Sequence, residues 1–180
     1  HTWSFQQDES GYVLVGYDGP GGDITLSIPF EADGRVIGDY TFNRWIFSQD
    51  LDITSLTLTG PHDIKDYAFT YWENLKAVYI DGAKKVGRYS FQNCTGIENV
   101  VIKNVDMLTF RSFYGCTGIK TVQIENVQDL GGQIFEGCSG IKSVNISNIE
   151  GPPGDGLFER CVNLTDVELT NIECLDPRMF

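Results

Sequence analysis

The chain has 180 residues, 41% of them hydrophobic, so it can bury a continuous core as one domain. Its 25 acidic residues against 13 basic ones leave a formal net charge of -12, a field that repels phosphate backbones and anionic membrane surfaces, so nucleic acid is not expected as a partner. No apolar run approaches the roughly 20 residues that cross a bilayer, which argues against membrane insertion.

From the amino terminus, residues 1–10 lack the basic and apolar regions of a signal peptide. Two alternating apolar runs come next, Tyr12-Val13-Leu14-Val15 and Ile24-Thr25-Leu26-Ser27-Ile28, on either side of Asp18-Gly19-Pro20-Gly21-Gly22. This pattern predicts a hairpin across the Gly/Pro turn, leading into the first coil of a repeat region and covering its apolar end. Residues 1–22 are therefore read as an amino-terminal segment and capping strand, and 23–180 as the repeat region.

The repeat is the dominant signal. One apolar position returns as Phe69, Phe91, Phe113, Phe135, Phe158 and Phe180, at steps of 22 or 23 residues. Three residues later come Cys94, Cys116, Cys138 and Cys161, with Trp72, and Trp45 after Phe42, at the same place in earlier units. Then each unit carries L-x-x-V-x-I, as in Ile119-x-x-Val122-x-Ile124. The last two apolar residues alternate with polar ones, the period of a short half-buried strand. One such strand per unit has no local partner, so strands must stack in parallel from coil to coil. The unit from Phe42 to Phe69 is five residues longer than its neighbours, which predicts an outward bulge over residues 49–54.

Between the strands, Val86-Gly87-Arg88-Tyr89-Ser90-Phe91-Gln92-Asn93-Cys94 spaces its apolar residues as a helical turn or short helix would. Gly96, Gly118 and Gly140, with Asn74 and Asn163 at the same place, are read as left-handed residues ending that helix. A second column, Asn104, Asn126, Asn148 and Asn171, lies two residues past the strand's last apolar position, where stacked amides can hydrogen-bond along a turn. The expected fold is thus an α/β repeat solenoid, a right-handed coil of short parallel strands and helical turns with a hairpin-like amino-terminal cap.

These columns resemble the BspA-like leucine-rich repeats, whose coil runs I-G-x-x-A-F-x-x-C-x-x-L-x-x-V-x-I-P. The match is carried by Ile37-Gly38-Asp39-Tyr40-Thr41-Phe42, by Val86-Gly87-Arg88-Tyr89-Ser90-Phe91 and by the Phe-to-Cys-to-Ile spacing through residue 169. The chain departs from the pattern in having the post-strand proline only at Pro29, after Ile28, and in coils mostly one residue shorter than the common length. The resemblance implies an exported or surface-attached protein that acts in adhesion or protein binding, in host-associated bacteria or protozoan parasites.

Catalysis is not expected. The histidines are His1, at the terminus, and His62, in the turn Gly60-Pro61-His62-Asp63, so no cysteine has a base beside it. Cysteines 22 residues apart lack the paired spacing of zinc sites, no D-x-D-x-D-G calcium loop occurs, and Gly131-Gly132 is not followed by a phosphate-binding lysine. No cofactor or metal is expected. The repeat cysteines read as small, reduced core residues, while Cys174 lies off the repeat.

What remains is the strand face. With V-x-I pointing inward, the residue between points out, giving a row Thr57, Tyr79, Val101, Gln123, Asn145 and Glu168. Rows through Asp166 and Lys103 flank it. The ligand-binding residues predicted are Tyr79, Val101, Lys103, Gln123, Asn145, Asp166 and Glu168. A protein or peptide, such as a host surface or matrix protein, is the expected ligand; a glycan site would offer more exposed aromatics. The rival readings are a carbohydrate-binding segment or a non-catalytic scaffold in a larger exported enzyme or surface assembly. Leu175 and Phe180 begin another coil, which predicts that the native chain continues past Phe180 and that this stretch alone either frays from about Asn171 onward, the favoured outcome, or self-associates end to end at the carboxy-terminal edge.

Overall fold

A computed structural model describes residues 2–9, 11–27, 30–32, 35–42 and 52–180. The expectations for Ile28, Pro29, Trp45 and the first part of the bulge, 49–51, fall outside the described residues; Ile53 and Thr54 belong to a strand.

The strands in chain order are β1 (Thr2–Asp8), β2 (Gly11–Asp18), β3 (Gly22–Ser27), β4 (Phe30–Ala32), β5 (Arg35–Ile37), β6 (Tyr40–Phe42) and β7 (Ile53–Thr59). They continue as β8 (His62–Ile64), β9 (Ala77–Asp81), β10 (Lys85–Val86), β11 (Asn99–Leu108), β12 (Thr121–Leu130), β13 (Ser143–Ile149) and β14 (Asp166–Ile172). Parallel pairing runs β3-β7-β9-β11-β12-β13-β14 along one face and β2-β6-β8-β10-β11 along a second. The molecule is a β-solenoid of stacked parallel strands.

β11 and β12 serve both faces, and the bend between them falls on the asparagine column. Asn104, Asn126, Asn148 and Asn171 all take left-handed backbone, φ 51 to 56°. Asn tolerates that region better than most residues, which gives the column a conformational reason. Their side chains also form the ladder expected: Asn126 Nδ2 donates to Asn104 Oδ1 at 2.7 Å, and Asn171 Nδ2 to Asn148 Oδ1 at 3.0 Å. Past the bend, Val105 and Leu108 turn inward again and are buried, as are Val127 and Leu130.

The helical turns do not form. Among the described residues the only helical element is a 3-10 turn at Pro177–Met179. Over the phenylalanine segments the backbone amides alternate between two uses. Ser90, Gln92 and Cys94 donate three residues back, whereas Phe91 and Asn93 donate to Ser112 and Tyr114 of the next coil at 2.8 and 2.9 Å. An α-helix would keep every amide for its own chain four residues back, so the inter-coil bonds exclude it. The helical reading mistook this pattern because one buried residue every few positions looks alike in both.

The Gly96, Gly118 and Gly140 reading is corrected as well. None of them has positive φ; the left-handed residues lie at Tyr89, Asn93, Arg111 and Gly115, two before and two after the phenylalanine. A Cβ on Gly118 would sit 2.2 Å from the Thr95 carbonyl oxygen of the preceding coil, and one on Gly140 2.2 Å from Thr117. Close backbone approach, not handedness, selects glycine here.

An amino-terminal hairpin is present, but β1 and β2 make it, antiparallel from Thr2↔Asp18 to Asp8↔Gly11. β2 and β3, the two runs expected to pair, instead join different faces: β2 lies parallel to β6 and β3 parallel to β7. Extending two existing ladders leaves fewer unpaired backbone groups than a local hairpin would. Leu14 is fully buried, and Phe5 meets Tyr40 edge-on at 5.8 Å, so the hairpin packs on the solenoid core.

That core is one continuous cluster. Its axis is the phenylalanine column, fully buried from Phe42 to Phe135, with ring centroids 4.8 Å apart for Phe91–Phe113 and 5.3 Å for Phe113–Phe135. Those separations approach the inter-strand spacing, as stacked identical coils require. Each repeat cysteine is buried, free of any disulfide, and donates its thiol to the phenylalanine carbonyl of the preceding coil, Cys116 Sγ to Phe91 O at 3.0 Å. Burial pushes the Cys94 and Cys116 thiols well above their usual range, and that of Cys161 up to about 12. Cys174 is exposed.

Candidate functional site

The seven residues singled out in the sequence lie on the first face. The register pairs Tyr79 with Val101, Val101 with Gln123, Gln123 with Asn145 and Asn145 with Glu168, so one unbroken row crosses β9 and β11 to β14. Lys103 belongs to the row Asp81, Lys103, Glu125, Ser147 and Thr170 on one side. Asp166 ends the row Ala77, Asn99, Thr121 and Ser143 on the other. Alternation sets this orientation: Val122 and Ile124 are buried on either side of half-exposed Gln123.

Many polar groups on this face already pair across coils. Lys103 Nζ lies 3.1 Å from Glu125 Oε2, and that hydrogen bond raises the lysine's pKa. Asn145 Nδ2 donates to Glu168 Oε2 at 2.8 Å, and Thr121 Oγ1 to Asn99 Oδ1 at 2.7 Å. Tyr79 donates to Asp81 Oδ2 at 3.2 Å; partial burial first, then the Asp81 charge, raise its pKa. Apart from the Tyr79–Asp81 bond, which lies within β9, these pairs link side chains of neighbouring coils across the face. Its composition is graded: Tyr79 and Val101 offer apolar surface, Gln123 and Asn145 amides, and Asp166 with Glu168 exposed carboxylates.

At the strand starts Lys120 Nζ pairs with Glu98 Oε2 at 2.6 Å, which lowers the glutamate's pKa. Exposed pairs of this kind contribute about 0–1 kcal/mol.

His62 is not a turn residue. It opens β8 and is fully buried, its ring stacked on Tyr40 at 5.5 Å and its Nδ1 2.6 Å from the Gly60 carbonyl oxygen. Burial lowers its pKa to about 4. Its Nε2 and the Tyr40 hydroxyl have no hydrogen-bond partner. Among the described residues, no three His, Cys, Asp or Glu side chains cluster as a metal site would need.

Sequence reasoning missed an aromatic surface on the turns around the phenylalanine column, where Tyr67, Tyr71 and Phe110 are exposed. The available signal was the tyrosine recurring two residues before Phe69 and Phe91.

Six copies of the BspA type leucine rich repeat region match over residues 36–165. No curated protein matches the chain. Among solved structures, the T. pallidum leucine rich repeat protein is similar at 17% identity and a TM-score of 0.59, over 91% of this chain and 88% of that one. A leucine rich cell surface protein from Faecalibacterium prausnitzii A2-165 is 13% identical with a TM-score of 0.44, over 93% of this chain and 52% of that one. The family match covers most of the chain and falls on the Phe, Cys and strand columns; the chain belongs to the BspA-type leucine-rich repeat family.

Proposed function

We propose that this protein is an extracellular or cell-surface recognition module that binds a protein ligand through the strand face, with Tyr79, Val101, Lys103, Gln123, Asn145, Asp166 and Glu168 in contact. The observation that carries the reading is the registered row itself: a solvent-facing surface crossing five strands whose outward residues vary while the inward ones repeat. The surface location and adhesive role are carried over from the resemblance to BspA-like repeats, and the repeat architecture supports a binding role. Immobilised protein is exposed to host surface and matrix proteins, and retained partners are compared with those retained by a Tyr79→Ala/Asn145→Ala/Glu168→Ala variant. Partners lost with the variant support the reading. Retention unchanged by the triple substitution refutes it and favours a spacer role in a larger assembly.

The coil that carries β14 leaves apolar surface exposed. Val167 is 42% exposed where its counterpart Val144 is 1% exposed, and Phe180, stacked on Phe158 at 5.8 Å, is 56% exposed. A further coil or a second copy of the chain at this edge would cover that apolar surface.

A further inference from the structure

On the turns around the phenylalanine column, aromatic side chains project outward over three consecutive coils. Tyr67 and Tyr89 stack in parallel, centroids 5.2 Å apart and planes 8° from parallel. The next coil adds Phe110 and Tyr114, which meet Tyr89 edge-on at 6.1 and 6.2 Å. Arg111 binds the group together. Its guanidinium carbon lies 4.8 Å from the Phe110 centroid and 5.3 Å from that of Tyr114. Nη1 donates to the Tyr89 hydroxyl at 3.2 Å, and Nε lies 2.7 Å from the Glu136 carboxylate. On the same turn as Tyr67, Tyr71 is 63% exposed.

The residue choice here runs against local preference. Tyr67, Tyr71, Tyr89 and Arg111 all have positive φ, 52 to 64°, at two repeat positions where other coils use Asn93, Gly115, Gly137 and Gly156 as well as Gln133 and Arg160. Bulky residues are disfavoured in that region, so the repeat turn sets the backbone and does not itself call for an aromatic side chain at 67, 71 or 89. Tyrosine and arginine are also the residues that concentrate binding energy at interfaces.

We propose that this patch is a second binding site, distinct from the strand face, and that it takes a proline-rich segment in polyproline II conformation lying along the solenoid axis. Three features select that occupant. A polyproline II helix repeats every three residues, about 9.3 Å, which matches two coil steps of about 4.8 Å, so every third side chain meets alternate coils, those of Tyr67 and Phe110. Its carbonyls have no internal hydrogen bonds, and tyrosine hydroxyls at the rim supply donors; the Tyr89 oxygen already accepts from Arg111, which leaves its proton for an outward acceptor. Arg111 is neutralised by Glu136, so the centre of the patch offers no bare charge and suits an uncharged ligand. Aromatic-lined surfaces are an established recognition mode for such segments. A glycan would present hydroxyl donors and need polar acceptors around the rings, whereas the polar groups at the centre of the patch, Arg111 and Glu136, are already paired with each other.

The test titrates the intact chain with a proline decamer by calorimetry, with a Gly/Ser decamer as control. Saturable binding of the proline peptide alone is expected, and Tyr71→Asn with Phe110→Ser should weaken it by roughly tenfold or more. Asparagine suits the left-handed backbone at 71 and Tyr71 is 63% exposed, so Tyr71→Asn alone should keep the wild-type melting curve, whereas Phe110→Ser, which removes a ring packed on Tyr89 and Arg111, should lower it slightly with the fold retained, as circular dichroism will show. Tyr79→Ala should leave the titration as it was, which separates this site from the strand face. The proposal is overturned if the proline decamer does not bind, if binding survives the double substitution, or if cellohexaose binds at the patch in its place.

Discussion

Phe113→Ala probes the register of the whole stack. The ring is fully buried and lies between Phe91 at 4.8 Å, planes 3° apart, and Phe135 at 5.3 Å, planes 16° apart. Its removal loses the transfer energy of a buried phenyl group and leaves a cavity between coils whose backbones are tied by the Phe113 amide to Ile134 O at 3.0 Å, so collapse is restricted. The expected cost is roughly 3–5 kcal/mol, of which each aromatic stack supplies about 0.5–1.5 kcal/mol. For a chain of this length that shifts the melting temperature by on the order of 10 °C. Phe180→Ala is the internal control: that ring is 56% exposed with one stacking neighbour, Phe158, and should cost about 1 kcal/mol or less. Urea unfolding followed by circular dichroism measures both. Equal effects at the two positions, or an unchanged midpoint for Phe113→Ala, would refute the column as the axis of the core.

Gly118→Ala places a methyl group against the Thr95 carbonyl oxygen and should destabilise by about 2 kcal/mol or more in the same assay; a neutral result would return the glycine column to a conformational explanation. Cys94, Cys116 and Cys138 should resist a thiol reagent in the native state while exposed Cys174 reacts, as mass spectrometry of the labelled chain will show; rapid labelling of all five would contradict their core role. His62 binds its proton less well folded, at about 4, than unfolded, at 6.5, so stability falls as pH drops through that window and levels off below about 4. Between pH 7 and 4.5 this single group should cost roughly 2 kcal/mol, read as the difference between the wild type and His62→Leu in unfolding titrations; parallel pH curves would show that the ring is not buried neutral.

The parallel ladder was legible because it rests on strict alternation: Val122, Ile124 and their counterparts can face the core only if Gln123 and its row face out. The cysteine and asparagine columns were legible as columns, and the amide ladder as a chemistry, but the left-handed φ of Asn104 and its repeats was not. Two readings failed for one reason. Whether an amide such as Phe91 N–H bonds within its own turn or to the next coil depends on contacts between coils, and apolar spacing within one coil cannot distinguish them. The same inter-coil proximity, not a local turn, is what requires Gly118. The aromatic patch was hidden because Tyr89 comes from one coil and Phe110 with Tyr114 from the next, at three different positions of the repeat.

The most direct test of the binding account places a photo-crosslinking amino acid at Gln123 in one sample and at Gln128 in another. Both residues lie on β12, on opposite sides of the bend at Asn126, so folding and local flexibility are closely matched while the faces differ. After irradiation with a host surface and matrix extract, adducts should form from position 123 and not from 128. Adducts from 128 alone, or equally from both, would contradict the assignment of the strand face as the ligand surface.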